Sequence, residues 1–153
     1  MSKIIVLQGT PCSGKSTWRN AYMENQPIGS TVVVCRDDIR LELNNGIFTL
    51  KLEKEVTKLE KQRIIEGISS GLDVIIDATN LNPKTIARWN KLASKLNCEI
   101  IFEKFYVPYS VAMKRNLKRK AEGGLYIPKK VMLDFYQRYY PTTIYKEELE
   151  QTK

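Results

Sequence analysis

The segment Gly9-Thr10-Pro11-Cys12-Ser13-Gly14-Lys15-Ser16 constrains this chain more than any other. It matches G-x-x-x-x-G-K-[ST], a pattern that carries meaning only between a strand and a helix. Both flanks are present. Lys3 to Leu7 is short, β-branched and continuously apolar, as expected of a central parallel strand covered on both faces. From Lys15 onward, Trp18, Ala21 and Tyr22 fall at helical spacing until Pro27 and Gly29 close the segment. Such a turn points successive backbone N–H groups at phosphate oxygens, and the amino end of the helix adds its positive dipole. Lys15 then meets the β and γ phosphates of a nucleotide, and Ser16 offers its hydroxyl to Mg²⁺. Thr17 extends the segment, with packing of the first helical turn as its plainer role. Cys12 reads as a loop residue, since no resolving thiol stands near it in sequence.

The same alternation continues. Thr31 to Cys35 is a second β-branched run, and Arg36-Asp37-Asp38-Ile39-Arg40 follows where a helix begins. Leu50 to Ile68 reads as a long amphipathic helix closed by Gly67 and Gly71. Asp73 to Ile76 is the third strand, with Asp77-Ala78-Thr79-Asn80 at its exit, and Pro83 opens a helix through Leu96. Glu99 to Val107 reads as a strand whose charges, Glu103 and Lys104, suit a sheet edge. Pro108 and Pro128 open two further helices, the first ended by Gly123 and Gly124. The order is β-α-β-α, which predicts an α/β fold with a mainly parallel sheet between helices. At 153 residues the expectation is one domain spanning 1–153.

Composition narrows the chemistry. The chain has no histidine, which removes imidazole bases and Ser-His-Asp triads and makes carboxylates the candidates for proton abstraction. Its 25 Lys and Arg exceed its 17 Asp and Glu, a net charge of +8 that favours an anionic partner. Cys12, Cys35 and Cys98 are odd in number and widely spaced, as for reduced thiols. The amino terminus lacks the pattern of a signal peptide, no apolar run reaches the ~18 residues of a membrane span, and a cytoplasmic location is expected.

Phosphoryl transfer needs an acceptor in line, charge neutralisation and in some cases a base. Asp37 and Arg40 lie three apart on one helix, so both can face a cleft at the carboxyl edge of the sheet. Asp37 is assigned as the carboxylate that activates the acceptor and Arg40 as the cation that holds a substrate phosphate. The plainer roles are a helix cap for Asp37 or Asp38 and a salt bridge for Arg40. In the helix after Pro108, Lys114, Arg115, Lys118, Arg119 and Lys120 repel one another unless an anion intervenes, which points to a basic lid at about 108–127.

These motifs together resemble the P-loop polynucleotide 5′-hydroxyl kinase family, known from the bacteriophage enzyme and its end-healing relatives. The resemblance runs through Gly9 to Trp18, Arg36 to Arg40, Asp77-Ala78-Thr79-Asn80-Leu81-Asn82-Pro83, and Lys114 to Arg119 with Ile127-Pro128. It implies a three-layer P-loop kinase fold with a helical lid, ATP as donor with Mg²⁺, and a DNA or RNA end bearing a 5′-hydroxyl as acceptor. Lys15 and Ser16 would handle the donor phosphates and metal. Asp37 would activate the 5′-hydroxyl beside Asp38, and Arg40 would hold the 3′-phosphate of the terminal nucleotide. Arg119 would act from the lid on the donor side, with Arg115 as a nucleobase or phosphate contact. Thr79 and Asn80 would lie near the substrate channel, with capping of the helix near Pro83 as the other role for Asn80. Cys12 stands where the family commonly has glycine. A stand-alone kinase, without the phosphatase fused to the phage enzyme, is the expectation. Two other readings stay open: a kinase of a nucleoside, sugar or antibiotic, and a nucleotide-dependent switch or ATPase.

Overall fold

The computed structural model describes residues 2–45 and 47–142. These residues form two compact units, one of 2–8 with 15–104 and one of 9–14 with 105–142. The first unit holds β1 (Lys3–Gln8), α1 (Lys15–Glu24), β2 (Thr31–Cys35), α2 (Arg36–Asn44), α3 (Leu50–Ser69), β3 (Asp73–Asp77), α4 (Pro83–Leu96) and β4 (Glu99–Lys104). The second contains the Gly9–Gly14 loop, α5 (Tyr109–Ala121) and α6 (Lys129–Tyr139).

The sheet is fully parallel among the described residues, in the order β2-β3-β1-β4. Ile4, Ile5, Val6 and Leu7 of β1 are buried, which accounts for a strand with no polar alternation. Ile4, Val6, Val74 and Ile76 share a core with Ile39, Val56, Ile64, Trp89, Leu92 and Ala93 from α2, α3 and α4. The structure is thus the expected α/β fold with a parallel sheet between helices.

Two expectations need correction. β4 ends at Lys104 rather than Val107, because its register runs from Lys3↔Glu99 to Gln8↔Lys104 and β1 offers no partner beyond Gln8. It is an edge strand, as its charges suggested. Gly67 does not close α3 but lies buried within it, where a Cβ would come within 2.7 Å of Val74 Cγ2. The glycine lets α3 approach β3 closely; Gly71 and Ser70 mark the true end.

Leaving β1, the chain crosses to β2; leaving β3, it crosses over β1 to β4. Connections therefore depart from the adjacent strands β1 and β3 in opposite directions. The crevice at their carboxyl ends is the switch point where an open α/β sheet binds ligands.

Candidate active site

In the second unit, the Gly9–Gly14 loop is held from several sides. Gly9 admits no side chain: a Cβ would stand 2.5 Å from Ser13 Oγ and 2.9 Å from the Phe105 carbonyl. Cys12 adopts a left-handed φ of 65°, a conformation that costs a non-glycine residue about 1–3 kcal/mol. This explains why glycine suits the position. Its side chain offsets part of that cost by packing, buried, with Ala112, Met132 and Tyr136. Arg115 Nη1 donates to the Cys12 carbonyl at 3.0 Å. Tyr136 Oη donates to the Val107 carbonyl at 2.7 Å and lies 3.0 Å from Thr10 Oγ1. Asn116 holds Ile127 twice, accepting from its N–H at 2.9 Å and donating to its carbonyl at 2.7 Å. Arg119 is half-buried in the last turn of α5, where Lys118, Arg119 and Lys120 also complement the helix dipole. Pro11 and Ser13 complete the loop, Ser13 buried.

In the first unit, Lys15 opens α1 as a buried residue, with Ser16 and Thr17 exposed beside it in the first turn. The amino end of a helix attracts anions through its unpaired N–H groups and dipole. One turn further on, Arg19 Nη1 donates to Asp77 Oδ2 at 2.6 Å. Burial raises the Asp77 carboxyl above its ordinary value, opposed by the charges of Arg19 and Lys15.

The acceptor candidates form one network on α2 and α3. Asp37 Oδ1 accepts from Arg40 Nη1 at 2.7 Å, the pairing expected of residues one turn apart. Arg40 also grips Glu53 with two parallel bonds, 2.8 Å from Nε and 2.6 Å from Nη2. Hydrogen bonding from Arg40 lowers the Glu53 carboxyl, and Glu53 in turn raises the Arg40 guanidinium. Arg36 continues the chain to Glu53 at 3.3 Å, Thr57 at 3.2 Å and Glu60 at 2.7 Å. Neither acid caps α2: the cap is Cys35, with no side-chain bond, while Asp37 and Asp38 are exposed in the first turn. Burial pushes the Cys35 thiol up to about 11, so it is no nucleophile at neutral pH.

At the exit of β3, Asn80 is fully engaged. Buried at a φ of 47°, it donates to the carbonyls of Leu7 at 2.8 Å and Ile76 at 3.3 Å, and accepts from Trp89 Nε1 at 3.0 Å. Gln8 Nε2 donates to its carbonyl at 3.1 Å. Asn80 thus ties β1, β3 and α4 together, and the cap of α4 is Asn82, which accepts from the Lys84 N–H. Thr79 is half-buried and lines a cavity of about 260 Å³ with Arg36, Thr57, Glu60, Thr85 and Arg88.

Sequence reasoning missed Arg19, Glu53, Glu60 and the hydroxyl role of Tyr136. Arg19 stands four residues after Lys15, and Glu53 and Glu60 stand seven apart on α3; both spacings place the pairs on one helical face. Tyr136 carries no such signal, since its partners Thr10 and Val107 are remote in sequence.

The ligand chemistry of the site fits a nucleotide with Mg²⁺ in its donor types: a glycine-bearing loop, a lysine and a serine hydroxyl at a helix amino end, and oxygen rather than sulfur or imidazole donors.

A family model described as an AAA domain matches residues 4–142. A protein of Autographa californica nuclear polyhedrosis virus, with the provisional name bifunctional polynucleotide kinase/RNA ligase, is 29% identical over 132 residues. That match covers 76% of this chain and 18% of the viral protein. A chain of the Pnkp1/Rnl/Hen1 RNA repair complex superposes with a TM-score of 0.78 at 28% identity, covering 96% of this chain and 45% of that one. The Mycobacterium tuberculosis APS kinase CysC, in complex with AMPPNP and APS, shares the fold at a TM-score of 0.60 and 18% identity, over 79% and 72% of the two chains. The chain spans less than half the length of the viral protein and of the RNA repair chain. With its phosphate loop, parallel sheet and flanking helices, the chain belongs to the AAA domain family and has the architecture of a P-loop kinase.

Proposed function

We propose that this chain is a polynucleotide kinase that transfers the γ-phosphoryl group of ATP to the 5′-hydroxyl of a DNA or RNA end. The observation that carries this reading is the Asp37–Arg40 pair, an exposed carboxylate 2.7 Å from a guanidinium that Glu53 fixes with two bonds. A carboxylate and a fixed cation side by side suit an acceptor with a hydroxyl to deprotonate and a phosphate to hold. The names of the viral relative and of the RNA repair complex agree with that acceptor class.

In this reading the Gly9–Gly14 backbone and Thr17 bind donor phosphates, Lys15 contacts the β and γ groups, and Ser16 holds Mg²⁺. The metal, when bound, neutralises charge on the phosphate oxygens. Asp37 accepts the proton of the 5′-hydroxyl, whose oxygen bonds to the γ phosphorus as the bond to the β,γ-bridging oxygen breaks and ADP leaves. Arg40 holds the 3′-phosphate of the terminal nucleotide; Asp38 and Thr79 border the acceptor path, and Asn80 shapes it through its backbone ties. Arg119 stabilises charge on the donor side from a lid at about 108–127. Arg115 contributes by fixing the loop at Cys12, the bond it makes here.

The test is transfer of label from γ-labelled ATP to matched oligonucleotides with a free or blocked 5′ end, with nucleosides in parallel. The proposal expects label only on free 5′ ends. Label on a nucleoside alone assigns a small acceptor, and ATP hydrolysis with no labelled acceptor assigns an ATPase; either overturns it.

A further inference from the structure

Glu60 is wholly buried, yet only one of its carboxyl oxygens is satisfied. Oε1 accepts from Arg36 at 2.7 Å, whereas Oε2 has no hydrogen-bond partner. Burying a polar atom without a partner costs about 1–3 kcal/mol, so a retained orphan calls for a reason. Glu60 also lines the cavity of about 260 Å³ shared with Arg36, Thr57, Thr79, Thr85 and Arg88. That volume lies below the roughly 300–1,000 Å³ of a drug-sized site and suits a single flat ring system.

The lining says which ring. Arg36 already spends its guanidinium on Glu60, Thr57 and Glu53. Arg88 is different: it is exposed at the rim, stacks on the Trp89 ring at 4.9 Å, and makes no hydrogen bond. The cavity offers an acceptor at Glu60, a guanidinium fork at Arg88 and neutral threonine hydroxyls. Guanine answers that set, with N–H donors on one edge for the carboxylate and adjacent O6 and N7 for a bidentate arginine. Arg36 directly precedes Asp37, and Glu53 binds both Arg36 and Arg40, so the cavity is joined to the acceptor cluster.

We propose that this cavity is a guanine-selective base site for the acceptor nucleotide, with Glu60 and Arg88 as its recognition groups. The assignment to the acceptor rests on the polynucleotide kinase reading; the base preference does not. Calorimetric binding of guanosine, inosine and adenosine 3′-monophosphates tests it without phosphoryl transfer. Guanosine 3′-monophosphate is expected to bind about tenfold or more tighter than the adenosine compound. The inosine compound, lacking only the 2-amino group, falls between them. Arg88→Ala, at an exposed position that leaves folding intact, reduces the preference to within about twofold; Glu60→Gln, checked by circular dichroism for folding, loses the distinction between guanosine and inosine. Equal affinities in the unaltered protein, no binding of any of the three, or an unchanged preference in Arg88→Ala overturns the site. If Arg88→Ala instead changes the choice between ATP and GTP as donor, the acceptor assignment is overturned. Absence of transfer to every oligonucleotide, with guanosine selectivity intact, overturns the kinase reading and leaves the base site standing.

Discussion

Tyr136 and Thr10 lie 126 positions apart in sequence with their hydroxyl oxygens 3.0 Å from each other, both residues buried. The single phenolic proton of Tyr136 goes to the Val107 carbonyl at 2.7 Å, so its oxygen accepts from the Thr10 hydroxyl. The phosphate loop is thereby held from α6 by one phenol. Tyr136→Phe keeps the ring and deletes both bonds of the phenol, the one to the Val107 carbonyl and the one to the Thr10 hydroxyl. We expect a loss of about 1–3 kcal/mol in denaturant titration, with a raised KM for ATP. Unchanged stability and KM would show that the bridge does not hold the loop.

The Arg19–Asp77 pair should be asymmetric. The Asp77 side chain is 7% exposed and that of Arg19 is 21% exposed, so a stranded carboxylate suffers more than a stranded guanidinium, which can reach water. Arg19→Ala should therefore cost about 3 kcal/mol, Asp77→Asn clearly less. Chemical denaturation of the two variants at neutral pH measures this. Equal losses would mean the pair is solvated from both sides.

Glu60 sets the sign of a pH effect. Burial raises its carboxyl above the ordinary 4.5, against the opposing charges of Arg36, Arg88 and Arg40. The folded state therefore binds this proton more tightly than the unfolded state. Its contribution to stability is fully present below pH 4.5 and is lost as pH rises through the folded value. Glu60→Gln removes that dependence, so the variant should gain on the unaltered protein as pH rises. Glu53, lowered mainly by its bond to Arg40, acts in the opposite sense and loses its contribution as pH falls through its folded value. Denaturant midpoints across the pH range check both, and a constant difference for Glu60→Gln would contradict the burial argument.

What was legible in the sequence follows from how local each signal is. β-branched runs, proline openings and 3.6-residue spacing are read from neighbours, and the ten elements of the described residues begin within a residue of where such patterns placed them. The end of β4 failed because it depends on where β1 stops, and Gly67 because its role depends on Val74 across a packed interface. At the site, the Asp37–Arg40 contact was readable from a three-residue spacing on one helix. The spacing of Glu53 and Glu60 marks a face of α3 but not that this face meets Arg40, and the bond of Tyr136 to Thr10 leaves no local pattern, because tertiary packing sets both contacts.

The most direct test of the account is γ-phosphoryl transfer from ATP to a 5′-hydroxyl oligonucleotide by the unaltered protein and by Asp37→Asn, with nucleotide affinity measured alongside. Asp37 is exposed and its amide replacement keeps the shape that faces Arg40, so folding and ATP binding should hold. Transfer should fall by about 10²–10⁴-fold, as for loss of a general base. Near-normal transfer by Asp37→Asn would contradict the assignment of the base, and no transfer by the unaltered protein would contradict the proposed reaction itself.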